Sequence, residues 1–242
     1  MIENHTDGVL LINKPKGPTS FDVVARIRRM TDAKKVGHAG TLDPLASGLL
    51  IVLVGPATKK QAEFMGLDKE YLAEITFGRE TETYDAEGKI IGENREASEK
   101  LTGDKVTEAL KLFEGEIAQT VPAYSAVKVK GKKLYNLSRQ GHIGSIILPH
   151  RIVTIYKIDL LQFIKSTPID LPRAVIKVTC SKGTYIRSLA SDLGKKLGCG
   201  AYLSELTRTR IGPYSLDSSL SIEEFTQSLR TSDSEVRNLA SA

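Results

Sequence analysis

Six consecutive apolar residues, Leu49-Leu50-Ile51-Val52-Leu53-Val54, constrain the architecture more than any other stretch of the chain. A run of this length without polar alternation fits a strand buried on both faces. It is entered through Gly37-His38-Ala39-Gly40-Thr41-Leu42-Asp43-Pro44-Leu45-Ala46-Ser47-Gly48. The first half of that stretch has no hydrophobic period and reads as a loop. Gly37 and Gly40 give the backbone freedom to turn sharply around His38. Pro44 biases Asp43 away from the helical region and fixes its setting. Taken alone, Asp-Pro reads equally as a helix N-cap with proline at the first helical position, or as a plain turn. In either case one carboxylate sits on a stiffened loop anchored by a core strand.

Composition excludes several classes. At 40% hydrophobic and 26% charged, the 242 residues suit a globular protein with ample core. The longest apolar run is far too short to span a membrane, and the polar start Met1-Ile2-Glu3-Asn4-His5-Thr6-Asp7 does not resemble a signal peptide. Cys180 and Cys199 form no close pair and the four histidines are scattered, so neither zinc spacing nor a disulfide framework is present, and a cytoplasmic location is expected. The net charge of +5 is uneven. No acidic residue falls between Ile117 and Ile158, where Lys128, Lys130, Lys132, Lys133, Arg139, Arg151 and Lys157 are found. Lysines with interleaved tyrosines suit phosphates and stacked bases, although a solvated lysine face has the same composition.

In chain order, Val9–Asn13 reads as a buried strand, ended by the turn Lys14-Pro15-Lys16-Gly17-Pro18. Ser20 is the expected N-cap of a helix with an apolar stripe of Val23, Val24, Ile27 and Met30, and with Arg26, Arg28 and Arg29 on its other side. Thr58 to Met65 suggests one short helix. Tyr71, Ala73, Ile75 and Phe77 alternate with Leu72, Glu74 and Thr76 as a strand. Glu87 to Gly103 is polar, as in a surface hairpin and loop, and Asp104 can cap a following helix. Arg151–Ile164, Arg173–Ser181 and Ala201–Arg208 are strand-like. Between the last two, Ile186, Ala190, Leu193 and Leu197 make a helical stripe just after Tyr185. Arg187, in the first turn of that helix, opposes the helix dipole and needs a specific partner. Ser221-Ile222-Glu223-Glu224 is a capping-box start.

Five separated motifs then bear on identity: Lys14-Pro15-x-Gly17-x-Thr19-Ser20; the Asp43 loop; Lys69-Glu70-Tyr71 with Phe77-Gly78-x-x-Thr81-x-Thr83-x-Asp85-x-x-Gly88; Pro122-Ala123-Tyr124-Ser125-Ala126; and Tyr185-Ile186-Arg187 with Leu206. In this order, from about Val9 to Gly212, they resemble the TruB family of tRNA pseudouridine synthases. Two positions depart from the family pattern: Glu82 stands where an aspartate is usual, and Val121 where a proline is usual.

The resemblance implies an α+β fold, a mixed and largely antiparallel sheet with flanking helices and a thumb insertion at about 123–148. It implies a catalytic domain over 1–214, with 215–242 a short C-terminal helix and tail instead of a full RNA-binding domain. It implies isomerisation of the uridine at position 55 in the T loop of transfer RNA, without metal or cofactor, with the T arm as partner, no obligatory protein partner and a monomeric enzyme. Asp43 would be the catalytic carboxylate and Arg187 its cationic partner. Tyr71 would stack on the flipped base, with Tyr185, Leu206, His38, Lys14 and Pro15 around the nucleotide. Arg26, Arg28, Arg29, Lys128, Lys130, Lys132 and Lys133 would form the RNA-facing patch. The competing classes are a T-arm binding module without chemistry and a guide-dependent synthase acting on another RNA.

Overall fold

The computed structural model describes residues 8–125, 127–129, 131–139 and 147–229. Its first elements are β1 (Gly8–Lys14), α1 (Ser20–Thr31), β2 (Val36–His38), β3 (Ser47–Val54) and α2 (Gln61–Gly66). Next come β4 (Lys69–Phe77), β5 (Arg79–Thr81), β6 (Ile90–Glu93), α3 (Arg95–Glu99), α4 (Gly103–Lys111) and β7 (Gly115–Thr120). They are followed by β8 (Lys128–Val129), β9 (Lys132–Lys133), α5 (Leu134–Arg139), β10 (His150–Ile164) and β11 (Arg173–Cys180). The last labelled elements are α6 (Ile186–Lys196), β12 (Ala201–Ile211) and β13 (Tyr214–Ser215), and 222–229 is again helical. Apart from the two-stranded pairs β5–β6 and β8–β9, the strands form a mixed, mostly antiparallel sheet with helices outside it, an α+β architecture. Two compact units divide the chain: Met1–Lys69 with Thr207–Ala242, and Glu70–Leu206.

The first unit is organised by β3. All six residues from Leu49 to Val54 are at most 1% exposed, as the unbroken apolar run requires. Alternation sends them to opposite sides. Leu50, Val52 and Val54 pack with Val23, Val24 and Ile27 of α1 and with Ile222 and Phe225, whereas Leu49, Ile51 and Leu53 pack with Ala39, Phe64 and Ile211. β1 pairs antiparallel with β3 along its length, from Gly8↔Val54 to Lys14↔Gly48. β2 pairs with the far end of β3, and Thr207 and Arg208 of β12 run parallel to Ser47 and Gly48.

In the second unit the order is β4-β11-β10-β7, with Ala201–Leu206 of β12 on the outer side of β4. β11 shows the alternation of a half-buried strand, with Ala174, Ile176, Val178 and Cys180 inside. Tyr71, Ala73 and Ile75 of β4 are likewise buried on one face. The stretch from Glu87 to Gly103, expected as a surface hairpin and loop, holds instead β6, which pairs with the earlier β5, and the short helix α3.

Three local expectations need correction. α1 is capped by Thr19 and not by Ser20: the Thr19 hydroxyl accepts from the Asp22 amide at 3.1 Å, and the Asp22 carboxylate accepts from the Thr19 amide at 2.8 Å. That reciprocal box leaves the Ser20 hydroxyl for another partner. α4 starts from Thr102, whose side chain accepts from the Lys105 amide, so Asp104 lies inside its first turn. The helix expected from Thr58 to Met65 is split into a 3-10 segment, Gly55–Lys60, opened by Pro56, and α2.

Gly48 shows how tightly β3 and β12 approach. Its φ is +102°, and a Cβ there would lie 2.4 Å from the Arg208 carbonyl oxygen. Gly48→Ala is therefore expected to cost about 1–3 kcal/mol through backbone strain, with a similar further amount from overpacking. Urea unfolding of the variant against the parent measures it.

Candidate active site

The Asp43 loop belongs wholly to the first unit, and its main chain is tied down group by group. The Ala39 amide donates to the Ile51 carbonyl at 2.9 Å. The Ser20 hydroxyl donates to the Leu42 carbonyl at 3.0 Å and accepts from the Leu42 amide at 2.8 Å. The Gly17 amide donates to the Pro44 carbonyl at 2.8 Å, and the Ala46 amide to Asp43 at 3.1 Å. Lys14, fully buried, donates from Nζ to the carbonyls of Ala46 at 2.6 Å and Pro15 at 2.9 Å. Lys14 thus braces the far end of the loop, whereas Pro15 only accepts from the Lys14 side chain. Asp43 itself is half-buried.

Arg208 is the largest fully buried side chain among the described residues, at 1% exposure. Its Nε donates to the Leu49 carbonyl at 2.8 Å, and its terminal nitrogens to those of Gly40 at 3.1 Å and Thr41 at 3.5 Å. His38, at the end of β2, is half-buried, and its carbonyl accepts from Gln61 Nε2 at 2.8 Å. Burial, and next the Arg208 charge, push the His38 imidazole below its ordinary value of 6.5, with a backbone contact to Gly40 working the other way. His38 is thus kept neutral at physiological pH.

The second unit holds Tyr71, Tyr185, Arg187 and Leu206. Tyr185 is the N-cap of α6, and Arg187 is the second residue of that helix. The side chain of Gln119, 1% exposed, fixes the Tyr185 backbone at both ends: Oε1 accepts from its amide at 2.7 Å, and Nε2 donates to its carbonyl at 2.9 Å. A partner for the first-turn arginine is Asp85, 3.3 Å away, with both side chains almost wholly buried. The same guanidinium donates to the carbonyls of Thr83 at 3.1 Å and Tyr124 at 3.0 Å. Asp85 also accepts from the Glu87 amide at 3.1 Å and from the Thr83 hydroxyl. Tyr84 has a positive φ of 64°, which turns the chain so that Asp85 points inward. Gly88 is required beside it, because a Cβ there would meet Thr83 Oγ1 at 2.2 Å. Tyr71 and Leu206 are each 8% exposed.

Of the basic patch, Arg26, Arg28 and Arg29 lie exposed on α1, and Arg26 pairs with Glu223 at 3.3 Å. Lys130 lies outside the described residues, as does all of 140–146 in the expected thumb. The backbones of Lys128, Lys132 and Lys133 form the short β8–β9 hairpin. Sequence reasoning assigned no role to Arg208, Gln119 or Asp85, and gave the Ser20 hydroxyl the cap of α1 instead of Leu42. Asp85 and Ser20 lay within recognised motifs, whereas nothing marked Arg208 and Gln119 as buried.

This fold has counterparts among enzymes that convert uridine to pseudouridine, and the class of protein is a pseudouridylate synthase. The description "TruB family pseudouridylate synthase (N terminal domain)" matches residues 28–186, and "tRNA pseudouridylate synthase B C-terminal domain" matches 187–240. The tRNA pseudouridine synthase B of Dehalococcoides mccartyi is 48% identical over 214 residues, 88% of this chain and 68% of that protein. That of Aquifex aeolicus is 45% identical over 222 residues, 92% of this chain and 74% of the relative. Among solved structures, a Cbf5–Nop10–Gar1 complex matches with a TM-score of 0.70 and 32% identity, over 94% of this chain and 56% of that one. An H/ACA ribonucleoprotein bound to a substrate RNA containing 2′-deoxyuridine matches with a TM-score of 0.66 and 29% identity, over 93% and 54%. The chain therefore spans little more than half the length of those two solved chains. It belongs to the TruB family of pseudouridylate synthases.

The state of His38 has a measurable sign. An unfolded chain takes up the imidazole proton near pH 6.5, whereas folded His38 takes it up at lower pH. Between those values the unfolded chain binds more protons, so His38 lowers stability as pH falls through about 6.5. Replacement by glutamine is expected to flatten the stability–pH slope in that window. The His38 ring titration, followed by NMR in the parent, should have its midpoint below 6.5.

Proposed function

We propose that this enzyme isomerises the uridine at position 55 in the T loop of transfer RNA to pseudouridine, with Asp43 as the catalytic carboxylate. The observation that carries the reading is the Asp43 loop, in which buried side chains hold the main chain on both sides of a half-buried carboxylate. Such bracing is the preorganisation that a reacting carboxylate needs and a binding loop does not. The names of the similar proteins from Dehalococcoides mccartyi and Aquifex aeolicus support transfer RNA as the substrate class.

The reaction breaks the bond from ribose C1′ to N1 of uracil, turns the base and joins C1′ to C5. C5 then loses its proton and N1 gains one, so atoms and electrons balance within the nucleotide. Asp43 supplies a nucleophile or an electrostatic stabiliser on the sugar or base. The base must leave its stack to be reached, and Tyr71 is the aromatic residue assigned to stack on it. Arg187 supplies a fixed positive charge, held by Asp85 and by two carbonyls. Exposed Arg28 and Arg29 and the Lys128–Lys133 hairpin supply phosphate contacts, which position the RNA without reading its sequence. Recognition rests on the folded shape of the T loop.

Release of tritium from C5 of uridine in a T-arm stem-loop tests the reading. The parent should release it. Asp43→Asn should lower the single-turnover rate by about 10⁴-fold or more while leaving the RNA Kd within about threefold. Substantial release by the Asn variant, or none by the parent, would overturn it.

Arg187→Lys is expected to be severe for a related reason. Lysine cannot reach Asp85, Thr83 and Tyr124 together from one planar group. The turnover number should fall about tenfold or more, about 1.4 kcal/mol, with KM little changed. Steady-state kinetics on the same stem-loop measures both.

A further inference from the structure

We propose that Arg208 is a positioning residue for the isomerisation: its buried guanidinium fixes the main chain of Gly40 and Thr41 and thereby sets where Asp43 is presented. The inference rests on Asp43 being the catalytic carboxylate, as proposed above.

Three features support it. First, Arg208 is 1% exposed, and its hydrogen bonds go to three main-chain carbonyls, those of Gly40, Thr41 and Leu49. A charge is costly to desolvate, and packing alone is better served by an apolar side chain of similar volume. Second, the planar fork ties the loop to β3 beyond the point where backbone pairing ends, past His38↔Val52 and the hydrogen bond from Ala39 to Ile51. Nε holds β3 at Leu49 while the terminal nitrogens hold the loop at Gly40 and Thr41. The loop is thus registered to the most deeply buried strand of the unit. Third, the backbone around it is set closely. A Cβ on Gly48 would strike the Arg208 carbonyl oxygen at 2.4 Å, so the Arg208 main chain sits tight against the start of β3, and Gly40, whose carbonyl the guanidinium binds, has a positive φ of 102° that suits glycine. Lys14 plays the matching part at the other end, through the Ala46 carbonyl. Two buried cations therefore bracket the residues from Gly40 to Ala46. The charge of Arg208 is also felt by His38, whose imidazole it helps to keep unprotonated.

The test compares Arg208→Lys and Arg208→Met with the parent, at a temperature where circular dichroism shows each variant fully folded. Lysine keeps the charge but cannot serve all three carbonyls, and methionine fills much of the volume without charge. The single-turnover rate at saturating T-arm RNA should fall about 10²-fold in both, while the RNA Kd stays within about threefold. Amide exchange at Ala39 and Leu42 should quicken about tenfold at unchanged exchange in the β3 amides, which a general loss of stability would not produce. The His38 titration midpoint should rise in Arg208→Met and stay low in Arg208→Lys. A folded variant with a near-parental rate, a rate loss matched by an equal loss of RNA affinity, or unchanged exchange in the loop would each overturn the proposal. If Arg208→Met does not fold, Arg208→Lys alone decides it. A parent inactive on T-arm RNA would refute the substrate reading, and the exchange and titration readouts would still decide the role of Arg208.

Discussion

Burial of β3 on both faces is the constraint on which the first unit depends. A strand with no solvated side must satisfy its polar backbone through neighbouring chain. β1 runs along it, β2 covers one end, and Thr207 and Arg208 of β12 lie beside Ser47 and Gly48. Each of the six apolar side chains, once fully buried, contributes about 1.5–3 kcal/mol of transfer free energy. With β3 immobile, the segment that leads into it is fixed at its C-terminal end. The loop carrying Asp43 is then short enough for a few side chains to define it.

Both units use the same device at the residues proposed for the site. Buried polar side chains bind main-chain groups in preference to one another. In the first unit, Ser20 takes both polar groups of Leu42, Lys14 takes Ala46, and Arg208 takes Gly40 and Thr41. In the second, Gln119 takes both polar groups of Tyr185, and Arg187 takes Thr83 and Tyr124 as well as Asp85. The outcome is irregular backbone with few unsatisfied groups, so it can be buried and rigid without belonging to a helix or a sheet. Such backbone can hold a reacting group in place before substrate arrives, which lowers the cost of ordering it during the reaction.

Much of this was legible in the sequence, for reasons that differ by element. Leu49–Val54 could only be a doubly buried strand, and β11 showed its alternation plainly. The Asp43 motif carried its loop in its glycines and proline. Arg187 was suspected because a cation in the first turn of a helix is unfavourable without a partner, and Asp85 meets that need. Arg208 was hidden because Thr207-Arg208-Thr209-Arg210 reads as a polar strand end, with nothing to separate a buried arginine from the exposed Arg210. Burial in β12 changes parity between Leu203 and Leu206, so alternation from its start misassigns the residues that follow. Gln119 was invisible for another reason: its partner, the backbone of Tyr185, lies 66 residues away. The misplaced caps of α1 and α4 reflect competition among adjacent cap-forming residues, which only the local geometry decides.

The cap of α1 has a meaning beyond the helix it begins. Thr19 and Asp22 lock the first turn by a reciprocal pair of hydrogen bonds, and that lock places Ser20 against Leu42, next to Asp43. Helix ends are ordinarily the first places to fray, at small expense to the fold. Here fraying at Thr19 would release Leu42 while Val23, Val24 and Ile27 stayed packed against β3. If Asp43 is the reacting carboxylate proposed above, warming is expected to blunt the chemistry before it melts the protein, with the helix start as a thermal fuse for the Asp43 loop.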